Sequence, residues 1–164
     1  MTTFDKITRL LDSRGVSFEV IEHPAEGRSD AISKIRGNKL SQAAKAMVLQ
    51  VTGSTPDIRY VLAIVPGDCK VNFKNAAKLA GGKKASFAAP ETAQALTGCP
   101  MGAVPPFSFN EELTLYVDKR LTGAGRVFFN AGELVRSLSL AADDYFSVIG
   151  HDRIADIAVP PAAE

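Results

Sequence analysis

Two apolar runs, Ala46-Met47-Val48-Leu49-Gln50-Val51 and Tyr60-Val61-Leu62-Ala63-Ile64-Val65, flank the segment Thr52-Gly53-Ser54-Thr55-Pro56-Asp57. Each run has the length of a strand rather than a helix and is rich in β-branched residues. Gly, Pro and Asp between them favour chain reversal. The pair reads as a β-hairpin. Upstream, Phe4, Ile7, Leu10 and Leu11 share one face of a helix over residues 3–14, stopped by Gly15; Val16, Phe18 and Val20 then alternate with polar residues as a strand should. Ser29 reads as the N-cap of a short helix carrying Ile32 and Ile35, with Gly37 at its end.

Downstream, residues 72–80 form a helix with Phe73, Ala76, Ala77 and Ala80 inward, ended by Gly81-Gly82, and Pro90 opens another that Gly98 closes. Leu113–Val117, Arg126–Phe129 and Leu134–Leu140 read as strands and Asp143–Ile149 as a last helix. Hairpin strands with short helices between them imply an α+β fold around a mixed, mostly antiparallel sheet. At 164 residues and 46% hydrophobic, the chain suits a single domain. Its expected bounds are residues 1–157, with 158–164 as a flexible, proline-containing tail. No apolar run is long enough for a membrane span, and the first residues lack a secretory layout, so a cytoplasmic location is the expectation.

Charge is unevenly distributed. Residues 31–90 hold ten cations and two acids, a net +8, whereas the rest of the chain holds nine cations and sixteen acids, a net −7. Such segregation suggests a basic face for a polyanion, with Lys74, Lys78, Lys83 and Lys84 as candidate phosphate-binding residues. Cys69 and Cys99 lack a CxxC spacing and, with His23 and His151, lack paired zinc-ligand spacing; no metal and no cofactor is expected.

Two places stand out chemically. Lys45 is the only charge between Lys39 and Asp57 and leads into a buried-looking strand. It reads either as a solvated strand-end lysine or as an ammonium reaching into a cleft. In Gly102-Ala103-Val104-Pro105-Pro106, two prolines stiffen the backbone and Gly102 permits close approach to a ligand. The N–H groups of Gly102, Ala103 and Val104 could therefore be aimed at an oxyanion. The alternative is an ordinary proline-stiffened connector.

Taken in order, Ser33-Lys34-Ile35-Arg36-Gly37, Ala43-Ala44-Lys45-Ala46-Met47-Val48, the GxxxP element Gly102 to Pro106, and Phe129-Asn130-Ala131-Gly132 give the chain a likeness to a known family. It resembles the YbaK/prolyl-tRNA-synthetase-associated domain family over residues 4–150. The resemblance implies a curved, barrel-like sheet flanked by short helices and hydrolysis of mischarged aminoacyl-tRNA, with an aminoacyl-tRNA synthetase as a possible partner. It puts the family's required lysine on Lys45 and its GxxxP loop on Gly102 and Pro106. Members that act on Ala-tRNA commonly carry His-Pro near residue 130. Here Asn130-Ala131 departs from them and resembles a subgroup with relatives acting on seryl- or threonyl-tRNA.

On this reading Lys45, Gly102, Ala103 and Val104 are catalytic. Met47, Pro105, Pro106, Phe107 and Asn130, together with His23 if it borders the cleft rather than serving the core, bind substrate. Lys45 would hold either a terminal phosphate or the aminoacyl end. A non-catalytic module that binds aminoacyl-tRNA or an amino acid, and a thiol hydrolase using Cys69 or Cys99, are the competing readings.

Overall fold

The computed structural model describes residues 1–53 and 58–162. Helix α1 (Thr3–Ser13) begins on a capping box: the Thr2 hydroxyl accepts the Asp5 N–H, and the Asp5 carboxylate accepts the Thr2 N–H. Ile7 and Leu11 are buried, as the helical spacing requires. The expected strand from Val16 is shorter: β1 is Glu19–Glu22, because the Val16 N–H returns to Leu11 O and closes the helix end instead. Helix α2 (Ser29–Arg36) includes Ser29, with Arg28 at the cap position and Gly37 left-handed at the C-terminus.

The hairpin consists of β2 (Ala44–Thr52) and β3 (Arg59–Pro66), paired antiparallel from Ala44↔Pro66 to Val51↔Arg59. Most of its expected turn falls at residues 54–57, outside the described residues. After β3 come β4 (Lys70–Val71), α3 (Phe73–Leu79) capped by the Asn72 side chain, β5 (Lys84–Phe87) and α4 (Pro90–Thr97). The chain ends with β6 (Leu113–Asp118), β7 (Arg126–Asn130), β8 (Arg136–Ala141), α5 (Ala142–Ile149), β9 (Ile154–Ala155) and β10 (Ala158–Val159).

One five-stranded sheet has the order β5-β2-β3-β6-β9, with β3 and β6 parallel, and a three-stranded antiparallel sheet has the order β1-β8-β7. The architecture is α+β and mixed, but the barrel-like expectation needs correction. A parallel bridge, Ala43↔Phe128, joins the two sheets at one corner, and they do not close into a barrel among the described residues.

The continuous apolar run of β3 has a direct cause. Leu62 and Ile64 pack into one core with Ile7, Leu115, Phe129 and Tyr145, whereas Val61, Ala63 and Val65 pack into a second with Leu49, Ala76 and Ile157. A strand covered on both faces cannot alternate.

The first residues after the expected boundary at 157 are paired with the fold. Ile157 is fully buried, and Ala158–Val159 pair with Val71 and Lys70. Asp118, fully buried, accepts the N–H groups of Ile157 and Ala158 at 3.0 Å each, and so anchors the segment expected to be loose. A buried carboxylate is tolerated where several N–H donors meet it; Arg120 supplies a further backbone N–H and a guanidinium contact.

Candidate active site

Antiparallel register sets Lys45 opposite Val65, beside the turn that follows β3. The Lys45 ammonium donates to Cys69 O at 2.7 Å, leaving two of its three N–H donors. Burial holds its pKa below the ordinary lysine range, although Cys69 and Asp68 oppose that shift. Lys45 lines a cleft of about 720 Å³ together with Met47, Gly102, Val104 and Asn130. Five of the residues singled out in the sequence therefore converge on one cavity.

The Gly102 turn is held by close backbone contact. Gly102 has φ +85, and a Cβ built on it would lie 2.7 Å from the Gly27 Cα and 3.0 Å from Gly27 O. Only a residue without Cβ fits that crossing of two loops. The Ala103 N–H is turned back to Pro100 O at 3.0 Å, and Ala103 is fully buried. This corrects its assignment as an oxyanion donor, since a turn already uses its only N–H. Among the described residues, the N–H groups of Gly102 and Val104 have no hydrogen-bond acceptor.

Asn130 lies at the cleft, but its amide is already committed. Its Nδ2 donates to Glu26 O and Gly102 O, both at 2.9 Å, and its Oδ1 accepts the Ser137 hydroxyl at 3.0 Å. Two carbonyls on one side and a hydroxyl on the other fix which way the amide points. Asn130 thus ties the Gly102 turn to the loop containing Gly27 while lining the cleft. Replacing it by Asp turns a carboxylate oxygen toward two carbonyls, a buried and uncompensated charge costing about 3–5 kcal/mol. Replacing it by Ala removes hydrogen bonds at roughly 1–3 kcal/mol. Thermal unfolding should rank wild type above Ala above Asp, and deacylation should fall in both variants through kcat.

His23 stands behind this network. It is buried, with Nε2 2.7 Å from Ser137 Oγ and Nδ1 2.9 Å from Pro24 O, and it does not border the cleft; the substrate-binding assignment is corrected accordingly. Pro105 and Phe107 face a different cavity, of about 460 Å³ beside Thr3 and Leu96, which Val104 also borders. Pro106 is buried, and its carbonyl accepts the Tyr145 hydroxyl at 2.7 Å. Of the expected pocket wall, Met47 and Val104 line the cleft, while Met101 and Phe87 stand there in place of Pro105, Pro106 and Phe107.

Arg36, which the reasoning from chemistry passed over, also lines the cleft. Its Nε donates to Asn38 Oδ1 and one terminal nitrogen donates to Ser137 Oγ, each at 3.0 Å. Burial lowers its pKa to about 10, and among the described residues no carboxylate pairs with it. A half-buried guanidinium without a countercharge makes the cleft receptive to an anion. Its signal lay in the Ser33–Gly37 motif, which the resemblance used but the chemistry did not.

The lysines of the basic face, Lys74 and Lys78 on α3 and Lys83 and Lys84 at β5, are all exposed. Among the described residues none forms an ion pair. Cys69 is buried and its thiol is pushed up to about 11 by that burial, which makes it a poor nucleophile. Cys99 is buried in the cleft wall. A C69A/C99A double variant should keep its deacylation rate close to wild type; abolished activity would revive the thiol reading. Among the described residues, no three His, Cys, Asp or Glu side chains gather as metal ligands.

A mixed α+β scaffold with a cation-lined cleft, walled by a glycine-hinged turn carrying free N–H groups, has the makings of an acyl-ester hydrolase site. The family model for the aminoacyl-tRNA editing domain matches residues 23–148, and the chain belongs to that family. The multifunctional Ser/Thr-tRNA deacylase ProXp-y of Escherichia coli (strain K12) is 40% identical over 147 residues, covering 89% of this chain and 87% of its own. Among solved structures, a candidate trans-editing enzyme for prolyl tRNA synthetase superposes with a TM-score of 0.78 at 25% identity, covering 97% of this chain and 98% of that one. A hypothetical protein at 21% identity gives a TM-score of 0.83 over 94% of this chain and 99% of its own, a likeness of fold alone. No described helix is long and apolar enough to cross a membrane.

Proposed function

We propose that the chain is a trans-editing deacylase that hydrolyses the ester of tRNA mischarged with serine or threonine. The observation that carries this reading is one cleft bordered by two cations, Lys45 and Arg36, and by a turn whose Gly102 and Val104 N–H groups are free. The Ser/Thr specificity rests on similarity to the ProXp-y deacylase. An aminoacyl ester is already activated, so water attack is limited mainly by the charge that develops on the carbonyl oxygen. A single preorganised N–H donor lowers that barrier by roughly 3–4 kcal/mol. Gly102 and Val104 supply the donors, and Lys45 adds a desolvated charge at the aminoacyl or phosphate end. The family resemblance implies that the neighbouring ribose hydroxyl of the terminal adenosine orients the water.

Such an enzyme acts as a second sieve: one methylene gives a synthetase only about 1–3 kcal/mol of discrimination, so serine and threonine errors need separate removal. A synthetase partner that hands over the mischarged tRNA fits this role.

The test is a deacylation panel of tRNAs carrying Ser, Thr, Ala and their cognate amino acids. Ser and Thr esters should be cleaved well above their spontaneous rates. If no ester is, the chain is a binding module instead. The exposed lysines position tRNA by its phosphates without specifying sequence. A K74E/K78E variant should raise KM at fixed salt, flatten the dependence of affinity on salt concentration, and leave kcat nearly unchanged.

A further inference from the structure

Two large apolar side chains that remain in contact with water border the cleft: Phe87, 55% exposed, and Met101, 71% exposed. Phe87 ends β5, and its ring meets Phe73 at a centroid distance of 5.0 Å and an interplanar angle of 80°. That edge-to-face contact fixes the plane of the ring and leaves at least one of its faces uncovered by Phe73. The same α3–β5 unit carries Lys74, Lys78, Lys83 and Lys84, all exposed and, among the described residues, without an acidic partner. A fixed, open aromatic face therefore stands at the cleft, on the same α3–β5 unit as four exposed cations.

That combination suits single-stranded nucleic acid: cations follow the phosphates while an aromatic ring takes a base, whatever its sequence. We infer that Phe87 is the stacking platform for the terminal nucleobase of the tRNA 3′ end, holding it at the cleft rim while the ester on the same nucleotide enters. This inference rests on the deacylase reading and extends it to the nucleotide. An alternative role for Phe87, packing against Phe73 alone, requires apolar bulk but no aromatic face. The two roles differ in what leucine can replace.

The chain contains no tryptophan, so Phe87→Trp would provide its only indole fluorophore. Titration of that variant with the trinucleotide CCA should quench the fluorescence, whereas the same oligomer ending in an abasic ribose should not. In deacylation assays Phe87→Leu should raise KM about tenfold or more with kcat little changed, and Phe87→Trp should restore KM. Because Phe87 is half exposed, both variants should unfold within a few degrees of wild type. Equal quenching by the two oligomers, or a Phe87→Leu enzyme with wild-type KM, would overturn the inference. Failure of the wild-type protein to cleave any aminoacyl-tRNA would instead overturn the deacylase reading; the fluorescence titration reads base stacking without hydrolysis.

Discussion

Gly102→Val should lower kcat for aminoacyl-tRNA hydrolysis by about two orders of magnitude while the protein remains folded. The first part follows from geometry. The Cβ has no room, because the Gly27 backbone lies 2.7 Å from where it would sit, and a φ of +85 is strained for a β-branched residue. The turn must move, and with it the free N–H groups of Gly102 and Val104. Loss of one oxyanion donor costs roughly 10²–10³ in kcat. The second part follows from comparing magnitudes. Backbone strain of this kind costs about 1–3 kcal/mol, less than the roughly 5–15 kcal/mol that keeps a domain folded. Thermal unfolding measured beside kcat and KM separates the two effects. A valine variant with wild-type kcat would detach the Gly102 turn from catalysis.

Lys45→Ala should reduce kcat/KM at least tenfold, about 1.4 kcal/mol of transition-state stabilisation. A charge-assisted hydrogen bond is worth roughly 1.5–3 kcal/mol, so a loss approaching a hundredfold is consistent with one such contact. The ammonium is half buried, and its bond to Cys69 O holds it in one place at the cleft. Its pKa is lowered by burial, which sets the sign of the pH effect. The charged form works at neutral pH. The Lys45-dependent part of the rate should therefore fade as pH rises, beginning below the ordinary lysine range. The alanine variant, lacking the group, should show no such alkaline decline once spontaneous hydrolysis is subtracted. Wild-type turnover in that variant would remove Lys45 from the site.

Much of the fold was legible because β3 is buried on both faces and reads as an unbroken apolar run, while α1 shows its buried stripe and its glycine stop openly. The two-residue strands were not legible. β10 exists because Asp118, 40 positions earlier in the chain, collects the Ala158 N–H, and no local pattern announces such a bond. At the site, Lys45 and Gly102 stood out as a lone charge and a glycine before prolines. The roles of their neighbours did not. Whether Val104 or Pro105 faces the cleft depends on how an irregular loop turns, and irregular loops have no period to read. That the Ala103 N–H is consumed by Pro100 O, and that Asn130 spends its amide on two backbone carbonyls, are likewise products of tertiary contact. Arg36 was visible within a motif, but its missing countercharge is a property of three dimensions.

A crystal structure with a non-hydrolysable seryl-amide of 3′-amino-3′-deoxyadenosine tests most directly whether the Gly102 turn and Lys45 enclose the ester. The expected result places the acyl carbonyl oxygen about 2.7–3.1 Å from the Gly102 or Val104 nitrogen, with the Lys45 ammonium in the same cleft. An acyl group bound outside that cleft, with both N–H groups facing solvent, would contradict it.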